Sequence, residues 1–244
     1  MRATILYSIC YGFACVLSSP AAVAGMDDFE ACEQPYYTDL AIAGCTRALQ
    51  LYSVSDVQVA MLLNNRGSAH VLEGNLDAGL ADYNRALQFY PNYTRVHYNR
   101  GTLYLARKDF DNAIADFGTA IALGGDYFEA FHNRGVALLK LERHEEAIAD
   151  FTRTIDLNPN LPSAFYNRGM AQSSLKLHRL AIADFTEALR VGPRTQRILI
   201  NRGAAFEAVG LVEDSIADYR EALRIDPDNG QAKACLQRLK VAER

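Results

Sequence analysis

The tripeptide Asn-Arg-Gly occurs five times, at Asn65-Arg66-Gly67, Asn99-Arg100-Gly101, Asn133-Arg134-Gly135, Asn167-Arg168-Gly169 and Asn201-Arg202-Gly203, and every interval is 34 residues. A fixed period of this length means that one supersecondary unit is repeated, since so short a unit cannot bury its apolar face without neighbours. That overrides the one or two domains that a chain of 244 residues would otherwise suggest. Other columns share the phase. Small residues recur at Gly79, Ala113, Ala147, Ala181 and Ser215, followed four positions later by Tyr83, Phe117, Phe151, Phe185 and Tyr219. Three positions further stand Ala86, Ala120, Thr154, Ala188 and Ala222, and the units close with Pro91, Gly125, Pro159, Pro193 and Pro227. Proline ends a helix because it lacks the amide N–H and clashes with the preceding turn.

Each unit reads as two helices. The first carries the tripeptide, and turn residues such as Glu73-Gly74-Asn75 and Val209-Gly210-Leu211 follow it. The second has apolar residues at helical spacing, as in Ile148, Phe151 and Ile155. Mid-helix glycine costs about 1 kcal/mol relative to alanine. Its recurrence therefore predicts a close approach of the paired helices, with the aromatic column filling the gap to the neighbouring unit.

On the period, the glycine, the small–aromatic–alanine spacing and the closing proline, the stretch from Ala60 to Asn229 resembles the tetratricopeptide repeat family. The resemblance implies an all-α, right-handed superhelical solenoid with units at 60–93, 94–127, 128–161, 162–195 and 196–229. Two features depart from the family pattern. The early column of the first helix, often aromatic in the family, is Leu63, His97, Phe131, Phe165 and Leu199, and the second unit ends in Gly124-Gly125, which implies a looser turn. Residues 25–59 read as a degenerate half-repeat, because Ala41 to Leu49 align with Ala147 to Ile155 once four extra residues are allowed, with Cys45 in the aromatic position. Residues 230–244 read as a capping helix, with Ala232, Cys235, Leu236 and Leu239 on one stripe and Lys233, Gln237, Arg238 and Lys240 off it. Arrays need such a cap over the last open face.

Residues 1–24 read as an address. Arg2, the apolar run from Ile5 to Leu17 and the small-x-small Ala22-Val23-Ala24 describe a secretory signal peptide. The run falls short of the roughly 20 residues that span a bilayer. Cleavage after Ala24, with no stable membrane insertion afterwards, is expected rather than a retained anchor, and the location is periplasmic or secreted. Export leaves Cys32, Cys45 and Cys235, and an oxidising compartment favours one disulfide. Cys32 and Cys45 are the expected pair, two buried thiols being the alternative; a loop of this size is worth roughly 3 kcal/mol in the chain-entropy estimate. Cys235 is expected as a buried free thiol.

Catalytic patterns do not occur. There is no Walker loop, no Gly-x-Ser-x-Gly, no His-Glu-x-x-His and no paired Cys-x-x-Cys. The chain reads as non-enzymatic, with no metal or cofactor expected. A net charge of −4 argues against non-specific nucleic-acid binding. His144 and His178 share a column with Leu76, Phe110 and Val212, which indicates packing. Arg66, Arg100, Arg134, Arg168 and Arg202 are each matched by Asp82, Asp116, Asp150, Asp184 and Asp218, sixteen residues on. An ion-pair ladder is expected, either within units or between each aspartate and the next unit's arginine, eighteen residues on.

In the family this part of the first helix lines a concave groove. The column Asn65, Asn99, Asn133, Asn167 and Asn201 resembles the asparagine ladder in the repeat domain of O-GlcNAc transferase, where side-chain amides hold the backbone of an extended peptide. An amide both donates and accepts, so a row of them can hold a chain with little regard to its sequence. The resemblance places Tyr98, His132 and Tyr166 in the groove beside the ladder, with Leu72, Leu105, Val136, Leu139 and Met170 as apolar patches. The next-turn column, Ser68, Thr102, Val136, Met170 and Ala204, lacks the lysine–asparagine clamp that reads a terminal carboxylate. The expected role is a non-catalytic scaffold for an extended or helical segment of a partner protein. The alternative is an envelope biogenesis or assembly helper that acts with cell-wall or outer-membrane machinery.

Overall fold

The computed structural model describes residues 27–34 and 37–240; among these there are thirteen α-helices and no strand. The segment read as a signal peptide, the expected cleavage position and the last four residues lie outside the described residues. Two compact units divide the chain between Arg107 and Lys108.

The first unit holds α1 (Asp28–Cys32), α2 (Thr38–Leu51), α3 (Asp56–Leu72), α4 (Leu76–Phe89) and α5 (Thr94–Ala106). A capping box between Asp27 and Glu30 starts α1. The short helix lies so close to α2 that a Cβ on Gly44 would stand 2.7 Å from the Ala31 Cβ and the Asp28 carbonyl oxygen. The Cys32–Cys45 disulfide joins the two helices. The N-terminal segment is therefore a helix pair with a shortened first member. α3 begins ahead of Ala60, because Ser55 and Gln58 form a second capping box.

The second unit holds α6 (Phe110–Gly124), α7 (Phe128–Lys140), α8 (His144–Leu157), α9 (Pro162–Ser174), α10 (His178–Val191), α11 (Gln196–Ala208), α12 (Val212–Ile225) and α13 (Gly230–Arg238). Each helix from α6 onward packs on the next, and the first helices α7, α9 and α11 also approach one another directly. α6 runs through Gly124, and Gly125 closes it at φ +63° with its N–H on the Ile121 carbonyl.

The aromatic column packs differently from the sequence expectation. Tyr83, Phe151, Phe185 and Tyr219 each lie on the tripeptide glycine of their own helix pair rather than simply filling the gap to the next. A Cβ on Gly67 would meet Tyr83 at 2.9 Å, and on Gly135, Gly169 and Gly203 would meet Phe151, Phe185 and Tyr219 at 2.8 Å. Antiparallel pairing brings residues sixteen apart face to face, and the missing side chain is the space that the ring occupies. Phe151, Phe185 and Tyr219 are wholly buried there. In α13, Ala232 and Leu236 are buried against a cluster containing Leu199, Ile200 and Tyr219. Cys235, unpaired, sits at the edge of that stripe and is half-buried rather than buried.

Candidate functional site

The arginine ladder pairs within units. The Nε and Nη2 of Arg66 donate to both carboxylate oxygens of Asp82 at 2.8 and 2.7 Å. Arg134–Asp150, Arg168–Asp184 and Arg202–Asp218 repeat this two-pronged contact at 2.7–2.8 Å. The hydrogen bonds to Asp82 and Asp150 hold the Arg66 and Arg134 pKa values above the ordinary guanidinium range. The remaining nitrogen, Nη1, reaches backwards: Arg66 to Thr46 at 3.1 Å, Arg100 to Asn84 at 2.7 Å, and Arg168 and Arg202 to Thr152 and Thr186 at 3.0 Å. Arg66, Arg100, Arg168 and Arg202 thus each tie their own helix pair to the preceding one. Sequence reasoning missed the threonine column, whose only signal is a small hydroxyl or amide directly after the aromatic.

The asparagine face is built one step away. All five ladder asparagines are half-buried. Asn99 Nδ2 donates to Asn64 Oδ1 at 2.9 Å and to Ser68 Oγ at 3.4 Å, and Asn64 Nδ2 donates to Asn65 Oδ1 at 3.2 Å. Asn201 Nδ2 donates to the Tyr166 hydroxyl at 3.0 Å and to the Arg197 carbonyl at 2.9 Å. Both inter-unit bonds span 35 residues, from a ladder asparagine to the residue before the previous one. His132 holds the place of Tyr166 one unit earlier: its ring meets Phe151 at 5.6 Å, as Tyr166 meets Phe185 at 5.8 Å. Burial lowers the His132 pKa to about 4, so the ring is neutral at pH 7, and its Nδ1 is buried without a partner. The Asn167 side-chain amide makes no hydrogen bond to any other described residue.

Each unit has a hollow beside a ladder asparagine. One, of about 150 Å³, is lined by Phe29, Glu33, Gln58, Met61, Leu62 and Asn65. The other, of about 260 Å³, is lined by Met170, Ser173, Ser174, His178, Asn201, Ala204 and Ala205. Each is bordered by a ladder asparagine. Met170 and Ser174 lie three and seven residues after Asn167, which puts all three on one side of α9.

The other expected residues take several positions. Tyr98 and Tyr166 are only 6% and 8% exposed and sit beneath the face rather than on it. Val136 and Leu139 pack against the cluster of Leu138, Ala147 and Phe151. Leu105 is half-buried and Leu72 exposed. Asn133 is half-buried on α7, on the same register as Asn167 and Asn201. Two lining groups were not foreseen. Arg197, one turn before Asn201, stacks over the Tyr166 ring at 4.6 Å, and the His178 ring borders the larger hollow with Nδ1 unpaired. Among the described residues no cluster of His, Cys, Asp and Glu is fit to hold a metal ion, and no helix is long and apolar enough to cross a membrane.

A family model described as the tetratricopeptide repeat matches residues 98–162 and 166–230. No curated protein matches the chain. Solved structures of the same architecture do. YrrB, described as a TPR protein with an unusual peptide-binding site, superposes with a TM-score of 0.72 at 22% identity, over 81% of this chain and all of that one. MamA from Desulfovibrio magneticus gives a TM-score of 0.66 at 16% identity, over 70% of this chain and 97% of that one. Pseudomonas aeruginosa pilF gives 0.69 at 17% identity, over 82% and 90%.

Proposed function

Because the chain belongs to the tetratricopeptide repeat family, we propose that it is a non-catalytic protein-interaction scaffold that holds an extended segment of a partner along the asparagine face of its first helices. The observation that carries this reading is the larger hollow of the second unit, which opens at the ladder asparagine Asn201 beside Met170. A side chain of a partner enters that hollow while its backbone meets the ladder amides beside it. YrrB supports the reading as a structural relative described by its peptide-binding site.

The repeat units are assigned to 60–93, 94–127, 128–161, 162–195 and 196–229, after a preceding pair that the disulfide closes. The Cys32–Cys45 bridge and the signal-like first 24 residues support an exported protein that works outside the reducing cytosol. Panning a random peptide library against the immobilised, oxidised protein tests the function. Selected peptides should bind saturably, and a selenomethionine at Met170 should report contact. A protein that selects no peptide, or binds one away from α9 and α11, is not this kind of scaffold.

A further inference from the structure

The ladder amides are not equivalent, and the difference names the anchoring residue. A primary amide has two N–H hydrogens and one carbonyl oxygen. In Asn201 both hydrogens are spent, on the Tyr166 hydroxyl and the Arg197 carbonyl. The second partner fixes the amide's orientation, since a backbone carbonyl only accepts. In Asn99 both hydrogens are likewise spent, on Asn64 and Ser68. These two residues retain only an acceptor for a visitor. Asn167 keeps its whole inventory.

The cause lies one unit back. The residue that would close the Asn167 bond at the same 35-residue separation is His132. Its ring is seated on Phe151 as Tyr166 is seated on Phe185. Imidazole lacks the outward hydroxyl with which Tyr166 meets Asn201, so the link is not made. The result is a half-buried amide with both functions unused, in the register position that follows a buried ring nitrogen which also lacks a partner. Along the same side of α9, Met170 and Ser174 lead into the larger hollow.

We propose that Asn167 is the anchoring residue of the groove, and that it grips one residue of an extended partner by donating from Nδ2 to that residue's backbone carbonyl and accepting at Oδ1 from its backbone N–H. This rests on the scaffold reading above and narrows it. A helical partner has already satisfied its own backbone groups and offers Asn167 nothing except at its ends. An extended segment offers both groups on one edge. Asn201 and Asn99 hold successive first helices in register and contribute only acceptors. The residue held on Asn167 sets the register in which the neighbouring side chain reaches the hollow beside Met170.

The test uses a peptide selected by panning against the oxidised wild-type protein, its affinity and the melting temperature measured on three variants. Asn167→Ala should weaken binding about ten- to hundredfold, the loss of two hydrogen bonds, and leave melting unchanged. Asn201→Ala should lower melting and weaken binding less than threefold. His132→Tyr supplies the missing hydroxyl; it should occupy the Asn167 amide, hold or raise melting, and weaken binding at least fivefold. N-methylation along the peptide should abolish binding at one position, and that position should lose its effect in Asn167→Ala. If a selected peptide binds wild type, Asn167→Ala and His132→Tyr equally, the anchoring role is wrong and the scaffold reading survives. If panning yields no peptide, both fall together.

Discussion

His132 carries a pH signature that isolates its own burial. Its pKa is lowered to about 4 from an ordinary 6.5 by loss of water around the ring. The unfolded chain therefore takes up a proton first as the pH falls. The contribution to stability is full above about pH 6.5, declines between there and about pH 4, and is flat below. At about 1.4 kcal/mol per unit, the loss is on the order of 3 kcal/mol at most. Denaturation of wild type and His132→Phe should diverge by roughly 2 kcal/mol more at pH 4.5 than at pH 7.5, since shared carboxylates cancel in the comparison. A constant difference across that range means that the ring is already wet. The column that holds His132 was legible in the sequence as a neighbour of the ladder. That its ring lies under the ladder, at 5.6 Å from Phe151, was not. Phase shows that a residue repeats, but not which side of the helix faces inward. For the same reason the aromatic column read as buried without revealing that its partner is the glycine sixteen residues before it.

Between the helices of successive pairs, one backbone position takes the left-handed conformation at the repeat period. The turns place Gly74, Lys108, Glu142, Lys176 and Gly210 at φ between 57° and 83°. Only the two glycines signalled this in the sequence. At the others the turn is held by backbone bonds, such as Lys176 N–H to the Ser173 carbonyl at 2.9 Å and Leu177 N–H to the Gln172 carbonyl at 2.8 Å. Those bonds let a side chain persist where it costs roughly 1–2 kcal/mol. Lys176→Gly should relieve that cost and give back about 1 kcal/mol of it through the freer unfolded chain, for a net gain of up to about 1 kcal/mol in denaturant melts. A loss of stability would show that the Lys176 stem is packed. The helix pairs themselves were legible because period, glycine and proline agree. The amide links across 35 residues were not, because they cross from one column to its neighbour, and a search for recurring residues does not look sideways.

At the scale of the whole chain, stability in an array is a sum of units and interfaces, so damage stays local. Reducing Cys32–Cys45 removes roughly 3 kcal/mol of loop restraint from a pair whose first helix has five residues. Hydrogen exchange after reduction should accelerate in α1 and α2 while protection in α9 to α12 is kept; uniform acceleration would mean that the array melts as one body. The same locality gives meaning to Gly118. It stands in the column where Thr152 and Thr186 receive the backward reach of Arg168 and Arg202, and it offers Arg134 no side chain to bind. The α6–α7 junction thus lacks the guanidinium-to-hydroxyl link that pins the later junctions, and it contains the diglycine Gly124-Gly125. Under tension this is the weak link. Pulled from α6 and α13, the second unit should rupture first between α6 and α7, at a force that Gly118→Thr raises, and a single-molecule trace with its first break elsewhere would contradict this. A partner that tugs on the groove would then part that seam first and leave the Asn167 grip intact.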